Sequence, residues 1–189
     1  PNASPGFTVQ IGDGNTLAAM TGITTVTDFR RKDIAWGGQG APLAPGFHKA
    51  YFQSNKEDRA ILNIGGIANL TILPAKNTQP IIGFDTGPGN TLLDAWCEQH
   101  TGQAFDNKGL FALSGTPCPR MLNHCLADSY FQKRAPKSTG REHFNLTWLK
   151  QQDTEHLLSP EDVQATLLKL TVDSICLELK PYAAIPLFV

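Results

Sequence analysis

The sequence predicts a mixed α/β protein, and three observations carry that reading. Three short apolar runs lie close together between residues 60 and 84, two of them separated by Gly65-Gly66 as in a hairpin. The third run passes through a glycine-rich loop straight into a helical pattern, IIGFDTGPGNTLLDAW over residues 81–96, which is a crossover signal. A long amphipathic helix opens at Ser159-Pro160.

Taken in order, the opening PNASPG consists of turn formers, and FTVQI alternates, predicting a strand over Phe7 to Ile11. A short helix is expected from Asn15 to Met20, with Asp13 as N-cap and Gly22 as its stop. A strand from Ile23 to Phe29, the loop RRKDIAWGGQGAPLAPG and a short helix near Phe47 to Phe52 follow. The polar stretch Asn55 to Arg59 reads as a boundary, so residues 1–56 and 57–189 are expected to belong to two domains. Strands are expected at Ala60 to Ile64, Ala68 to Leu73 and Ile81 to Phe84. Helices are expected at Thr91 to His100, ending near Gly102, and at Arg120 to Ala127, with Ser129 to Asn145 irregular. In the last helix Ser159 is the N-cap and Asp162 the third position of a box-like cap. Val163, Leu167, Leu170, Ser174 and Leu177 form its stripe, flanked by Leu168, Ile175 and Leu179. The closing AAIPLFV reads as a buried strand. A natural terminus inside such a strand is unusual, so the chain is expected to be part of a longer protein.

Composition narrows the function classes. Lys+Arg number 16 and Asp+Glu 17 among 189 residues, a net charge of −1, which removes the electrostatic case for nucleic-acid binding. With 41% hydrophobic and 17% charged residues the chain is of globular type. Its apolar runs fall far short of the roughly 20 residues of a membrane span, and no signal-peptide pattern opens it. Cys97, Cys118, Cys125 and Cys176 form no CxxC pair and read as free buried thiols. His48, His100, His124, His143 and His156 are scattered, so no metal site is expected.

Four segments could carry chemistry, each with a plain structural alternative. In GFDTGPGN, Asp85 ends a strand beside a side-chain-poor loop and a helix start. The helix end would favour its ionised form and suit a general base, or Asp85 could merely cap that helix or the turn. In NIGGIAN, Gly65 and Gly66 could turn backbone N–H groups toward an anion with Asn69 adding a donor, or form an ordinary hairpin. In DFRRKDIAWGGQGAPL, Arg30 and Arg31 suit carboxylates or phosphates and Trp36 could stack on a sugar, or the run is a solvated charge cluster. PKSTGREHFN, residues 136–145, could close over a ligand or be an irregular surface segment.

Together, in this order, VQIGDGNTLAAMTGITTVTDFRRKDIAWGGQGAPL, LNIGGIANLT, GFDTGPGNTLLDAW, PKSTGREHFN and PEDVQATLLKLT resemble the bacterial anhydro-N-acetylmuramic acid kinases over about residues 7–180. The resemblance implies the two-domain actin-like, hexokinase and Hsp70 ATPase superfold, incomplete here at both ends. It implies ATP and Mg²⁺ as co-substrate and cofactor, a small sugar as substrate, no nucleic-acid or membrane partner, a cytoplasmic location, and leaves a homodimer open. The implied reaction opens the 1,6-anhydro ring of 1,6-anhydro-N-acetylmuramic acid and phosphorylates O6, in cell-wall recycling. By the family motifs Asp85 would be the catalytic base. Gly65, Gly66 and Asn69 would bind nucleotide phosphate, and Arg30, Arg31, Gly38, Gln39, Gly87 and Asn90 would bind substrate. Lys32 and Trp36 depart from the residues usual in the family. A first phosphate loop, a His-Gly-Gln-Thr segment and an adenine motif are expected outside this chain, which alone is expected to be poorly soluble and inactive. Two other readings stand beside this one: a non-catalytic sugar-binding module or inactive remnant, and a glycoside hydrolase pairing Asp85 with Asp28 or Asp33.

Overall fold

The structure, a computed structural model, describes residues 7–75, 79–152 and 158–189; the opening PNASPG and His156 lie outside them. The fold is mixed α/β. By internal contacts the chain divides into residues 1–43 and 44–189. That division is a different property from membership of the two domains expected at 1–56 and 57–189, which stays an expectation.

The first unit holds α1 (Gly14–Thr21) and α2 (Phe29–Ala35). Asp13 caps α1 as expected, accepting the N–H groups of Asn15 at 3.2 Å and Thr16 at 2.9 Å, and Gly22 ends it in the left-handed region at φ 66°. The strands expected at Phe7 to Ile11 and Ile23 to Phe29 do not form. Their alternating residues find no neighbouring strand among the described residues, and without a ladder the pattern has nothing to pair with. Where a loop was expected, Phe29–Ala35 is helical, because Arg30, Arg31 and Lys32 are good helix formers. Neither helix buries a side chain.

The second unit begins with α3 (Ala44–Phe52), followed by β1 (Arg59–Ile64), β2 (Ile67–Leu73) and β3 (Ile82–Pro88). The expected hairpin is present: β1 and β2 are antiparallel, with Ile64 opposite Ala68 across Gly65-Gly66. β3 pairs antiparallel with the other side of β2. The last strand, β4, is only Leu187–Phe188, parallel to β1 at the sheet edge. It is exposed, contrary to the expected buried strand at 183–189. A short 3₁₀ turn at Lys180–Tyr182 and Pro186, which has no N–H, leave room for little more.

Helices α4 (Thr91–Thr101), α5 (Leu110–Leu113), α6 (Pro119–Leu126), α7 (Ser129–Gln132), α8 (Leu146–Lys150) and α9 (Pro160–Leu179) complete the unit. Among the described residues, no helix is long and apolar enough to cross a membrane. Helix α9 opens as expected, with Ser159 Oγ accepting the Asp162 N–H at 3.2 Å. The box does not close, because the Asp162 carboxylate accepts from Thr116 N at 2.7 Å. Leu168 and Leu177, assigned to its apolar side, are exposed. Helix α9 joins two cores. Val163, Leu167 and Leu170 pack with Leu92, Trp96, Met121, Tyr130, Phe144 and Trp148. Ile175 packs on the sheet face formed by Ala60, Leu62, Ala68, Leu70, Ile72 and Phe84. On the opposite face α3 places buried His48 against Thr71, with Nδ1 2.8 Å from Oγ1. Of the four free cysteines, Cys97 and Cys125 are buried, Cys118 is half-buried and Cys176 is exposed, so the expectation of buried thiols holds for two. Burial pushes the Cys125 thiol up to about 12.

Candidate functional site

Two glycine-rich segments meet at one end of the sheet. The Gly65 carbonyl accepts from Asn90 N at 2.8 Å, and the Gly66 carbonyl accepts from Gly89 N at 2.9 Å and Thr91 N at 3.1 Å. The hairpin tip is thereby bound to the start of α4. A Cβ on Gly89 would run into the Gly65 carbonyl, which explains the glycine there. Gly65 and Gly66 are different. Neither takes a positive φ, and a Cβ on either would meet nothing closer than 3.4 Å. Their N–H groups donate to no acceptor among the described residues. The Arg141 guanidinium flanks this open tip, its Nη2 3.4 Å from where a Gly66 Cβ would lie.

Asp85 sits two residues before Gly87 on β3. The β2–β3 register jumps there, from Ala68 opposite Gly87 to Asn69 opposite Asp85, leaving Thr86 as the extra residue of a bulge. Bulges re-aim side chains near sites. Directly opposed residues share a sheet face, so Asn69 and Asp85 face the same way. Thr86 Oγ1 steadies the bulge by donating to Ala68 O at 3.2 Å. Gly87 holds φ 152°, and a Cβ on it would come within 2.8 Å of Phe131.

Asp85 is 6% exposed. It does not cap α4, whose N-cap is Asn90, so the helix-capping reading fails. Its Oδ2 accepts from Thr139 N at 3.0 Å, and the Ser138 hydroxyl lies beside the same carboxylate. Asp85 N donates to Lys137 O at 3.0 Å, and Asp85 O accepts from the Tyr130 hydroxyl at 2.8 Å. Burial pushes the carboxyl above the usual carboxylate range; the Thr139 and Ser138 donors pull it back, and Glu142 adds a further upward push. The loop donors thus favour its ionised form against burial. Among the described residues the buried side-chain atoms without a partner are the amide of Gln164 on α9 and two atoms on neighbours of Asp85, Asn69 Oδ1 and Thr139 Oγ1.

The support reaches further. Lys137, 3% exposed, pairs with Glu178 of α9 at 2.6 Å and donates to Tyr130 O at 3.3 Å. Asp128 caps α7 by accepting from Tyr130 N at 2.8 Å, and also accepts from the Trp148 indole at 2.8 Å. Sequence reasoning singles out the segment holding Lys137, Ser138, Thr139 and Arg141 but assigns these residues no role, and it misses Tyr130. A lysine beside two hydroxyl residues is the available signal for the segment, and nothing local marks Tyr130.

The structure thus brings Gly65, Gly66, Asn69, Asp85, Gly87 and Asn90 into one region. Arg30, Arg31, Gly38 and Gln39 belong to the first unit, on α2 and the loop after it. There Arg31 is ion-paired with Asp28, its Nη2 2.7 Å from Asp28 Oδ2. Asp33 Oδ2 accepts from Gly40 N at 2.7 Å, and a Cβ on Gly38 would overlap the Asp33 carboxylate. Asp28 and Asp33 are thus engaged in holding α2 and its loop, which weakens their reading as glycosidase carboxylates. One cavity of about 460 Å³ is lined by Thr8, Asp13, Asp28 and Arg31, and another of about 460 Å³ by Asn90, Asp94, Phe105 and Gln164. Neither is lined by Asp85, which lies closed under its loop.

A relative from Coxiella burnetii, named anhydro-N-acetylmuramic acid kinase, is 56% identical over 175 residues, covering 93% of this chain and 47% of the relative. One of the same name from Shewanella halifaxensis is 58% identical over 176 residues, covering 93% and 47%. A third, from Shewanella loihica, is 54% identical over 183 residues, covering 95% and 49%. The chain therefore spans about half the length of the curated relatives it matches. The family model described as anhydro-N-acetylmuramic acid kinase matches residues 1–186, and with that extent of agreement the chain belongs to the anhydro-N-acetylmuramic acid kinase family.

Proposed function

We propose that the whole protein of which this chain forms part is an ATP-dependent carbohydrate kinase acting on 1,6-anhydro-N-acetylmuramic acid, built on the two-domain actin-like superfold. In this reading residues 57–189 belong to the domain with the phosphate hairpin and the base, and residues 1–56 contribute sugar-side loops. One observation carries it: a buried carboxylate, Asp85, flanked by two unpartnered polar atoms, Asn69 Oδ1 and Thr139 Oγ1. Buried polar atoms ordinarily find partners, and a water bound between such groups would satisfy them.

That water is the reactant the chemistry needs. It attacks the anomeric carbon as the bond from that carbon to O6 breaks, and its proton passes to Asp85. The freed O6 forms its bond to the γ-phosphorus as the bond from phosphorus to ADP breaks. The products are N-acetylmuramate 6-phosphate and ADP. No acid is needed for the leaving oxygen, because the phosphoryl group takes it. The open tip of Gly65 and Gly66, with unengaged N–H groups beside Arg141, has the donor chemistry for a nucleotide phosphate. Arg30, Arg31, Gly38, Gln39, Gly87 and Asn90 are proposed to bind substrate. Among the described residues no three His, Cys, Asp or Glu side chains converge, so these residues form no cage for Mg²⁺. Such an ion would be carried chiefly by the nucleotide phosphates, as is usual for Mg²⁺.

The test is Asp85→Asn in the full-length protein. Turnover of the anhydro sugar with ATP is expected to fall by roughly 10²–10⁴-fold, the ordinary contribution of a general base. Near-normal turnover would end the assignment. Phosphorylation of N-acetylmuramic acid as fast as of its anhydro form would end the substrate assignment, because that sugar has no internal ether to open.

A further inference from the structure

We propose that Ser138 and Thr139 are positioning residues that hold the Asp85 carboxylate in its ionised, aimed state, and that the buried Lys137–Glu178 pair anchors them to α9; this rests on Asp85 being the base. Three consecutive residues engage one partner. Lys137 O accepts the Asp85 N–H at 3.0 Å, so the segment runs along the free edge of β3 as an added strand would. The Thr139 N–H then bonds to the carboxylate itself, and the Ser138 hydroxyl lies beside it. A bond to the Asp85 backbone N–H and a bond to its carboxylate two residues later hold the residue at both ends.

The anchor explains an otherwise costly feature. A lysine 3% exposed is seldom tolerated unless it is paired and hydrogen-bonded. Lys137 meets both conditions through Glu178 at 2.6 Å and Tyr130 O at 3.3 Å, and its ammonium lies 4.7 Å from the centre of the Tyr130 ring. Tyr130 returns to the same place, donating to Asp85 O at 2.8 Å. Lysine and tyrosine thus tie α9, α7 and β3 together around one aspartate.

Charged and titratable groups on the surrounding elements include Lys137, Arg141, Glu142 and His143 of the segment, Tyr130 of α7 and its cap Asp128, Glu178 of α9 and His48 of α3, with His143 bonded to Asp128 and His48 to Thr71. Of these, Glu142 pushes the Asp85 carboxyl up, as burial does, and the Thr139 and Ser138 donors oppose both. Removing a donor therefore raises it further, and the rate limb that requires ionised Asp85 moves to higher pH.

The experiment is the pH dependence of kcat/KM in the full-length protein for Ser138→Ala, Glu178→Gln and Asp85→Asn. Ser138→Ala is expected to move the acid limb up by less than about one pH unit, because its hydroxyl favours the carboxylate from beside it without the geometry of a full hydrogen bond. Glu178→Gln, which keeps shape and loosens the anchor, is expected to move it the same way by less, with KM for ATP within about twofold of wild type. A limb unmoved in both variants while Asp85→Asn is inactive overturns the clamp and leaves the base assignment standing. A lowered melting temperature with an unmoved limb has the same meaning, because a merely structural role moves stability alone. Turnover surviving in Asp85→Asn overturns both.

Discussion

Residues 44–189 and residues 7–43 hold similar kinds of sequence and end in different states. In the first region Leu70, Phe84 and Ile175 close on one another, and Leu92, Tyr130 and Phe144 close on α9. In the second, Phe7, Val9, Ile11, Leu17, Met20 and Trp36 remain exposed, and α1 and α2 bury nothing. Local signals suffice for a capped helix such as α1, whose Asp13 and Gly22 act within a few residues. They do not suffice for a strand, which exists only through a neighbour.

That contrast can be tested by cutting the same side chain from both regions. Leu70→Ala is expected to cost about 2–5 kcal/mol in denaturant unfolding of the full-length protein, as for fully buried leucines. Leu17→Ala, on an exposed helix face, is expected to change stability by less than about 0.5 kcal/mol. Equal effects would mean that the two regions do not differ in packing as described. Gly89→Ala sharpens the comparison within the second region. It adds one methyl against the Gly65 carbonyl and is expected to cost about 1–3 kcal/mol, read as a lower unfolding midpoint. An unchanged midpoint would show that the hairpin tip yields freely.

The smallest effect is one of pH. Burial raises the Asp128 carboxyl, but hydrogen bonds from Tyr130 N, Trp148 and His143 outweigh it, so the folded-state value lies below the ordinary 3.8. A depressed folded value gives stability that is present above 3.8 and is lost as pH falls through the folded value. Asp128→Asn is therefore expected to be less stable by about 1 kcal/mol at neutral pH, the scale of one such hydrogen bond. The gap should close below about pH 4. Melting curves of both proteins across that range check this, and a gap constant with pH would exclude the carboxylate as its cause.

Part of this arrangement is legible in the order of the amino acids alone. The Gly65-Gly66 hairpin, the β3 run and the Ser159-Pro160 start of α9 are local signals, written in neighbouring residues, whereas Asp85, expected to end its strand, lies inside β3, which runs on through the bulge at Thr86 to Pro88. Helix α2 escapes the sequence reading because a run of charges suggests a solvated loop, although Arg30, Arg31 and Lys32 favour a helix. The short β4 misleads in the other direction: apolar character suggests burial, while an edge position leaves the strand exposed. The support of Asp85 is illegible for another reason. Tyr130 acts 45 positions away from Asp85, and Glu178 lies 41 positions beyond Lys137. No periodicity encodes such meetings. They exist only once α7 and α9 have packed.

The bond from Asn90 N to the Gly65 carbonyl has an electronic consequence. That carbonyl and the Gly66 N–H belong to a single planar peptide group. When the oxygen accepts a hydrogen bond, electron density shifts toward it and the attached N–H becomes a stronger donor. The Gly66 carbonyl accepts twice, from Gly89 and Thr91, and shares its peptide plane with the N–H of Ile67 in the same way. The positive end of α4 is thus transmitted through two peptide groups to the hairpin. The Gly66 N–H, which faces no protein acceptor among the described residues, is polarised by a helix it does not belong to.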